Sequence, residues 1–215
     1  MFIELVDILR CPRAHEETWL VAAVSTFHGR HIATGSLGCP ICRTEYPVAD
    51  GAADFTVAGH PPDLSPRLPP SPVADDEVMR ARALLDLSEA GGVVAALGTA
   101  ATLAAALEDS AECTILQVNP SGAATGRGVS TLWVDDRVPL APDALRGALV
   151  GEDVSQILLA SLVAAIRPKG RLVAPVGLPL PEGMSELARD DRQWVASRTG
   201  ARISPPVPLQ RGWSK

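Results

Sequence analysis

Four side chains within the first 42 residues have the types and spacing of a metal site. Cys39-Pro40-Ile41-Cys42 separates two thiols by two residues, so a tight turn after Gly38 can aim both sulfurs at one ion. Cys11, heading a similar Cys11-Pro12 step, supplies a third sulfur from a distant segment. A symmetric site would place a cysteine at position 14, where the chain has Ala14. His15 stands one residue later and completes a Cys3His set with a slightly wider turn; His28 and His31 are reserve donors. The chemistry of such a set is structural zinc binding, closed and four-coordinate, because no open position with a neighbouring general base is evident. The alternative is that these cysteines pack as buried thiols without metal. Cys113 lies beside an apolar run in the second half and reads as a core thiol.

The elements that must position these donors are short. Ile3 to Leu9 reads as a helix leading into Cys11, Trp19 to Val24 as a strand, and Arg30 to Leu37 as a second strand entering the Cys39 turn. Tyr46-Pro47-Val48 is a short third strand, with Asp50-Gly51 as its turn. Six prolines within residues 59–72 exclude helix and central strand, so that stretch reads as a semi-stiff linker. The division is therefore 1–58, a linker over 59–74, and 75–215.

From Asp75 onward the chain alternates helix and strand signals. Asp75 to Ser88 reads as a helix with Asp75 as its N-cap and Gly91-Gly92 as its stop. Strands are expected at Val93–Leu97, Thr114–Val118, Thr131–Val134, Leu145–Val150, Arg171–Ala174 and Ala201–Ile203. Helices are expected at Ala100–Leu107, Val154–Ile166 and around Met184–Thr199. The strand runs are continuously apolar, as in strands buried on both faces. The fold class is α/β: a small α+β, zinc-binding N-terminal part followed by a Rossmann-like, doubly wound, mostly parallel sheet.

Bulk properties narrow the function. The chain has 215 residues, 47% hydrophobic and 20% charged, with a net charge of −6. Residues 1–58 hold seven acids against four arginines. Acidity of both parts argues against binding nucleic acid. The N-terminus has no basic stretch followed by an apolar run, so no secretory leader is expected. Residues 90–107 are uncharged but rich in Ala, Gly and Thr between Glu89 and Glu108, and read as strand, turn and helix rather than a membrane span. Four cysteines in such a chain suggest metal or free thiols in a cytoplasmic protein.

Two resemblances follow. Leu9-Arg10-Cys11-Pro12, Gly38-Cys39-Pro40-Ile41-Cys42 and Tyr46-Pro47-Val48-Ala49-Asp50-Gly51 resemble the small zinc-ribbon activator proteins of methyltransferases and their short bacterial relatives, across residues 3–55. That resemblance implies a role in binding and stabilising a methyltransferase fold, either a protein partner or, within one chain, the part that follows. Ala14 departs from the family's second cysteine. Residues 75–210 resemble a class I S-adenosylmethionine-dependent methyltransferase, most specifically at Ala165-Ile166-Arg167-Pro168-Lys169-Gly170-Arg171-Leu172-Val173.

The second resemblance implies that Gly98, Ala100, Gln117 and Asp135 occupy the cofactor positions. Gly98 keeps the turn after the first strand, but Ala100 and Thr102 stand where further glycines are expected, and Ala96 where an acid is expected. Gln117 offers one neutral carbonyl where the family has a ribose-binding carboxylate; Asp135 retains an acceptor for the adenine amino group. Each loss costs about 1–3 kcal/mol of binding, and several together weaken affinity about a thousandfold. No catalytic residues are evident. The expectation is a non-catalytic, methyltransferase-like scaffold or partner-binding protein; the alternative is an active methyltransferase with a divergent cofactor loop.

Overall fold

The computed structural model describes residues 1–57, 73–121 and 130–200. Residues 59–72 of the expected linker and the strand at 201–203 lie outside them. The N-terminal segment opens with a 3-10 turn, Ile3–Ile8, followed by β1 (Val21–His28), β2 (His31–Gly38), β3 (Glu45–Ala49) and β4 (Ala52–Asp54). Then come α1 (Asp75–Leu85), β5 (Val93–Leu97), a 3-10 turn Gly98–Leu103 running into α2 (Ala104–Ala111), β6 (Thr114–Val118) and β7 (Ser130–Trp133). β8 (Leu145–Val150), α3 (Gln156–Val163), β9 (Ile166–Pro175), β10 (Met184–Arg189) and β11 (Gln193–Arg198) complete it. No helix among the described residues is long and apolar enough to cross a membrane; residues 90–107 resolve into β5, the 3-10 turn and the start of α2.

The eleven strands among the described residues form one sheet in the order β1-β2-β3-β4-β7-β6-β5-β8-β9-β11-β10. From β4 through β9 every pairing is parallel; β11 returns antiparallel against β9, and β1 to β4 are antiparallel to one another. The order runs outward from β5 in both directions, so the sheet is Rossmann-like with its switch point between β5 and β8. β5 shows why the faces are covered. Val94 and Ala96 pack with Val78, Ala81 and Leu85 of α1 and Leu107 of α2, whereas Ala95 and Leu97 pack toward Leu158 and Leu162 of α3.

The junction of the two parts is a strand pairing. Ala52, Ala53 and Asp54 of β4 lie in parallel register with Thr131, Leu132 and Trp133 of β7. Phe2 N donates to Ser130 Oγ (2.8 Å), Arg10 N to Pro139 O (2.9 Å) and Phe55 N to Trp133 O (2.8 Å). Leu5, Leu9, Leu37 and Tyr46 share one buried cluster with Leu116, Val118, Leu132 and Leu140.

Several expected elements differ. Helix α1 is preceded by Ala74 in extended conformation with no side-chain cap, so Asp75 is its first residue rather than its N-cap. It stops at Leu85, before Gly91, because Asp86 turns left-handed (φ 57°) and two arginines take the terminal carbonyls. Buried Arg146 donates to Asp86 O (2.7 Å), Gly91 O (3.2 Å) and Glu89 O; Arg171 donates to Leu84 O (3.1 Å) and pairs with Asp86 (3.2 Å). Arg146→Ala is therefore expected to lower stability by about 2–3 kcal/mol, read by urea denaturation, since it leaves three carbonyls without their donor.

The expected helix over Met184–Thr199 is instead the β10–β11 hairpin. The turn is made by Asp190, whose Oδ1 accepts from Arg192 N (2.8 Å) and Gln193 N (2.9 Å). Trp194, Val195 and Ala196 are buried together, a run that suits a strand covered on both faces as well as a helix. β9 begins at Ile166, not Arg171: its pairing with β8 steps from Leu145–Ile166 to Gly147–Arg171, so Arg167 to Gly170 bulge from the strand.

Candidate metal centre and the crevice at the switch point

Cys11, His15, Cys39 and Cys42 come together, with their donor atoms all within 4.8 Å of one another. Cys11 follows the first 3-10 turn, and its amide bonds Thr18 O (3.2 Å), closing the loop that carries His15. The Cys39 turn is held by Cys39 N to Thr44 O (2.9 Å) and Arg43 N to Cys39 O (2.9 Å), with Arg43 left-handed at φ 58°. Cys42 N points at Cys39 Sγ (3.5 Å).

The donor spacing fits one tetrahedral ion. Cys11 Sγ and Cys42 Sγ are 3.7 Å apart. Metal–sulfur bonds of about 2.3 Å at the tetrahedral angle give sulfur–sulfur edges of about 3.8 Å. His15 Nε2 lies 3.1 Å from Cys11 Sγ and 3.4 Å from Cys39 Sγ. Its Nδ1 lies 2.6 Å from Glu16 O, which can only accept, so Nδ1 carries the proton and Nε2 presents its lone pair to the sulfurs. The slightly wide turn that replaces a cysteine at 14 thus delivers an oriented imidazole. His28 and His31 face each other across the β1–β2 turn, with His31 against Phe2 (5.2 Å), outside the cluster.

The sulfurs are not equivalent. Cys11 and Cys39 are buried and Cys42 is exposed. Hydrogen bonds from the Thr44 hydroxyl and amide pull the Cys42 thiol down to about 6, whereas burial pushes Cys11 up. Tyr46 Oη lies 3.2 Å from Cys11 Sγ, and burial raises the phenol well above its usual range.

The expected cofactor residues lie elsewhere, at the C-terminal ends of the central strands, and the side chains of Gln117 and Asp135 are engaged by the protein itself. Gln117 is fully buried; its Nε2 donates to Ala101 O (3.1 Å) and its Oε1 accepts from Thr131 Oγ1 (3.3 Å). Asp135 Oδ2 accepts from Val57 N (2.8 Å), tying the segment after β7 to the segment after β4. Gly98 is left-handed (φ 60°), and a Cβ there would stand 2.2 Å from Asp153 Oδ1. Ala100 lines a cavity of about 740 Å³ together with Thr99, Gly151, Pro175, Leu178 and Arg192.

Two residues of this crevice were not singled out in the sequence. Asn119, directly after β6, is left-handed (φ 46°); its Oδ1 accepts from Val134 N (2.9 Å) and its Nδ2 donates to Val134 O (2.8 Å). Its signal was its place at the strand end before Pro120. Asp153, after β8, accepts from Thr99 N (2.8 Å) and from the Ser121 hydroxyl, bridging the β5, β6 and β8 loops. Nothing in Gly151-Glu152-Asp153 alone signals this. Burial works against the Asp153 charge, but the Ser121 and Thr99 bonds outweigh it and hold the carboxyl below its usual range. A depressed carboxyl stabilises above its unfolded pKa of about 3.9, and that stabilisation is lost as pH falls through the folded value. Asp153→Asn is expected to flatten stability against pH below about 4, by no more than about 1 kcal/mol because this carboxylate is solvent-screened; thermal denaturation from pH 3 to 7 checks it.

No family model matches the chain, and no curated protein matches it. Solved structures do. The antibiotic-resistance methyltransferase Kmr is 15% identical, with 57% of this chain and 93% of that chain covered at a TM-score of 0.40. A Methanococcus maripaludis protein assigned as an S-adenosyl-L-methionine-dependent methyltransferase is 8% identical over 59% and 86%, with a TM-score of 0.44. A chain of the complex between the Haloferax volcanii Trm112 methyltransferase activator and its methyltransferase is 17% identical over 47% and 57%, with a TM-score of 0.34.

Proposed function

We propose that this protein is a non-catalytic, methyltransferase-like scaffold whose N-terminal zinc-binding part clamps the Rossmann-like sheet within the same chain. The observation that carries this reading is the internal use of the cofactor positions. A ribose needs free acceptors at the end of β6, and the side-chain amides of Gln117 and Asn119 are both already bonded to their own chain. A ligand carboxylate needs free amides at the turn after β5, and the Asp153 carboxylate already takes the Thr99 amide. An adenine needs Asp135, which holds Val57 N. Displacing these contacts costs a ligand the hydrogen bonds it would gain.

The clamp is supported by the β4–β7 pairing and by the shared core beneath it. Zinc at Cys11, His15, Cys39 and Cys42 fixes the loops that lead into Arg10 and β3, and so supports the clamp from its far end. Trp19, Val21 and Phe27 stand exposed on and beside the outer strand β1, a surface suited to a protein partner.

The second reading, an active methyltransferase, is favoured by the cavity of about 740 Å³ beside the Gly98 turn. Titration calorimetry with S-adenosylmethionine separates the two. The expected result is no saturable heat at millimolar ligand; micromolar binding overturns the scaffold reading.

A further inference from the structure

The unequal exposure of the three sulfurs gives the cluster a direction of attack. Cys42 is the exposed one, at the tip of its turn, while Cys11 and Cys39 are sealed beneath it. Cys11 Sγ lies 3.7 Å from Cys42 Sγ, within reach of a sulfur–sulfur bond after a small side-chain movement. Cys113 is buried in a separate cluster on the other face of the sheet and cannot take part. Cys11 also adjoins Arg10, whose amide bonds Pro139 O (2.9 Å) in the Rossmann-like part.

We propose that Cys42 is an oxidation site for hydrogen peroxide and that Cys11 resolves it, so that the cluster exchanges its metal for a Cys11–Cys42 disulfide. This rests in part on the zinc reading above. The Cys42 thiolate attacks one peroxide oxygen; the O–O bond breaks, and with one proton the second oxygen leaves as water, giving a sulfenic acid. The Cys11 thiolate then attacks the Cys42 sulfur, and the hydroxide leaves as water on taking a proton. Two thiolates lose two electrons to one peroxide. Two of the four donors are thereby withdrawn, and His15 with Cys39 alone does not retain the ion.

The test uses the full chain as purified. Zinc per chain is measured first, which decides the zinc reading by itself. Hydrogen peroxide is then added, with a dimedone probe for sulfenic acid in one arm, a chromogenic chelator for released zinc in a second, and peptide mass mapping in a third. The expected result is dimedone on Cys42 before any other cysteine and, without dimedone, a Cys11–Cys42 disulfide formed in step with zinc release. Cys42→Ser is expected to slow peroxide-driven oxidation of the remaining cluster cysteines at least tenfold. First labelling at Cys39 or Cys113, a disulfide excluding Cys42, or four reduced cysteines under excess peroxide overturns the inference whatever the zinc content. Protein without zinc that still oxidises first at Cys42 upholds the oxidation site and sinks the zinc reading.

Discussion

Cys39→Ser is expected to abolish zinc binding and to lower the melting temperature by about 10 °C, a loss of about 3–5 kcal/mol at roughly 2–4 °C per kcal/mol for a chain of this size. Cys39 is the cluster's most buried sulfur, 3% exposed, and it organises the turn. Its carbonyl takes the Arg43 amide, its amide reaches Thr44 O, and its sulfur meets both Cys42 N and His15. Serine preserves the size but is a poor zinc ligand at neutral pH, so the remaining three donors lose the ion. Calorimetric scanning with metal analysis checks this. A strong chelator should reproduce the shift in the wild-type protein and leave Cys39→Ser unchanged. Equal melting temperatures for the two proteins, or wild-type protein without zinc, would remove the metal from the account.

A larger effect is expected at the seam. Ala53 is fully buried and pairs with Val48 on one side and Leu132 on the other. Ala53→Asp places a carboxylate in the buried seam between the N-terminal strands and β7. Its cost is expected to exceed about 4 kcal/mol, the range of a buried, unpaired charge. Because one buried cluster underlies both parts, the whole sheet should weaken together. Hydrogen exchange resolves the point: β5, β6 and β7 should lose protection along with β2 and β3. Intact protection of β5 to β9 in the variant would mean that the N-terminal strands are carried by the Rossmann-like sheet without supporting it.

The central strands were legible because their chemistry leaves one option. Val93-Val94-Ala95-Ala96-Leu97 and Thr114-Ile115-Leu116-Gln117-Val118 fall on β5 and β6 residue for residue. Short apolar runs between turn residues are strands when both faces are covered. The same signal failed at Gln193–Arg198, where the buried run was read as a helix because the Asp190 side chain, rather than a glycine, makes the reversal. β4 went unread: three residues, Ala52–Asp54, carry no pattern, and their strand character comes from pairing with β3 on one side and β7 on the other.

At the two candidate sites the contrast is similar. Cysteines and a histidine announce a metal centre by type and spacing, so Cys11, His15, Cys39 and Cys42 could be named from the chain. The crevice depends on what fills it. Asp153 is one acid among 25, and only the folded loops bring it against Thr99 and Ser121. Gln117 looked like a weakened ribose contact, but its position inside β6 turns it toward Ala101 and Thr131.

The parallel pairing of β4 with β7 also sets an order of events during synthesis. β4 leaves the ribosome roughly eighty residues before its partner β7. At about 5–20 residues per second, the nascent N-terminal part spends several seconds with that strand edge uncovered. Through that interval an open, uncharged pair, Ala52 and Ala53, is offered to any passing strand. The chaperone demand of this protein should therefore fall early in its translation, and codons that slow the ribosome between positions 55 and 130 should cost more soluble product than the same codons placed after β7.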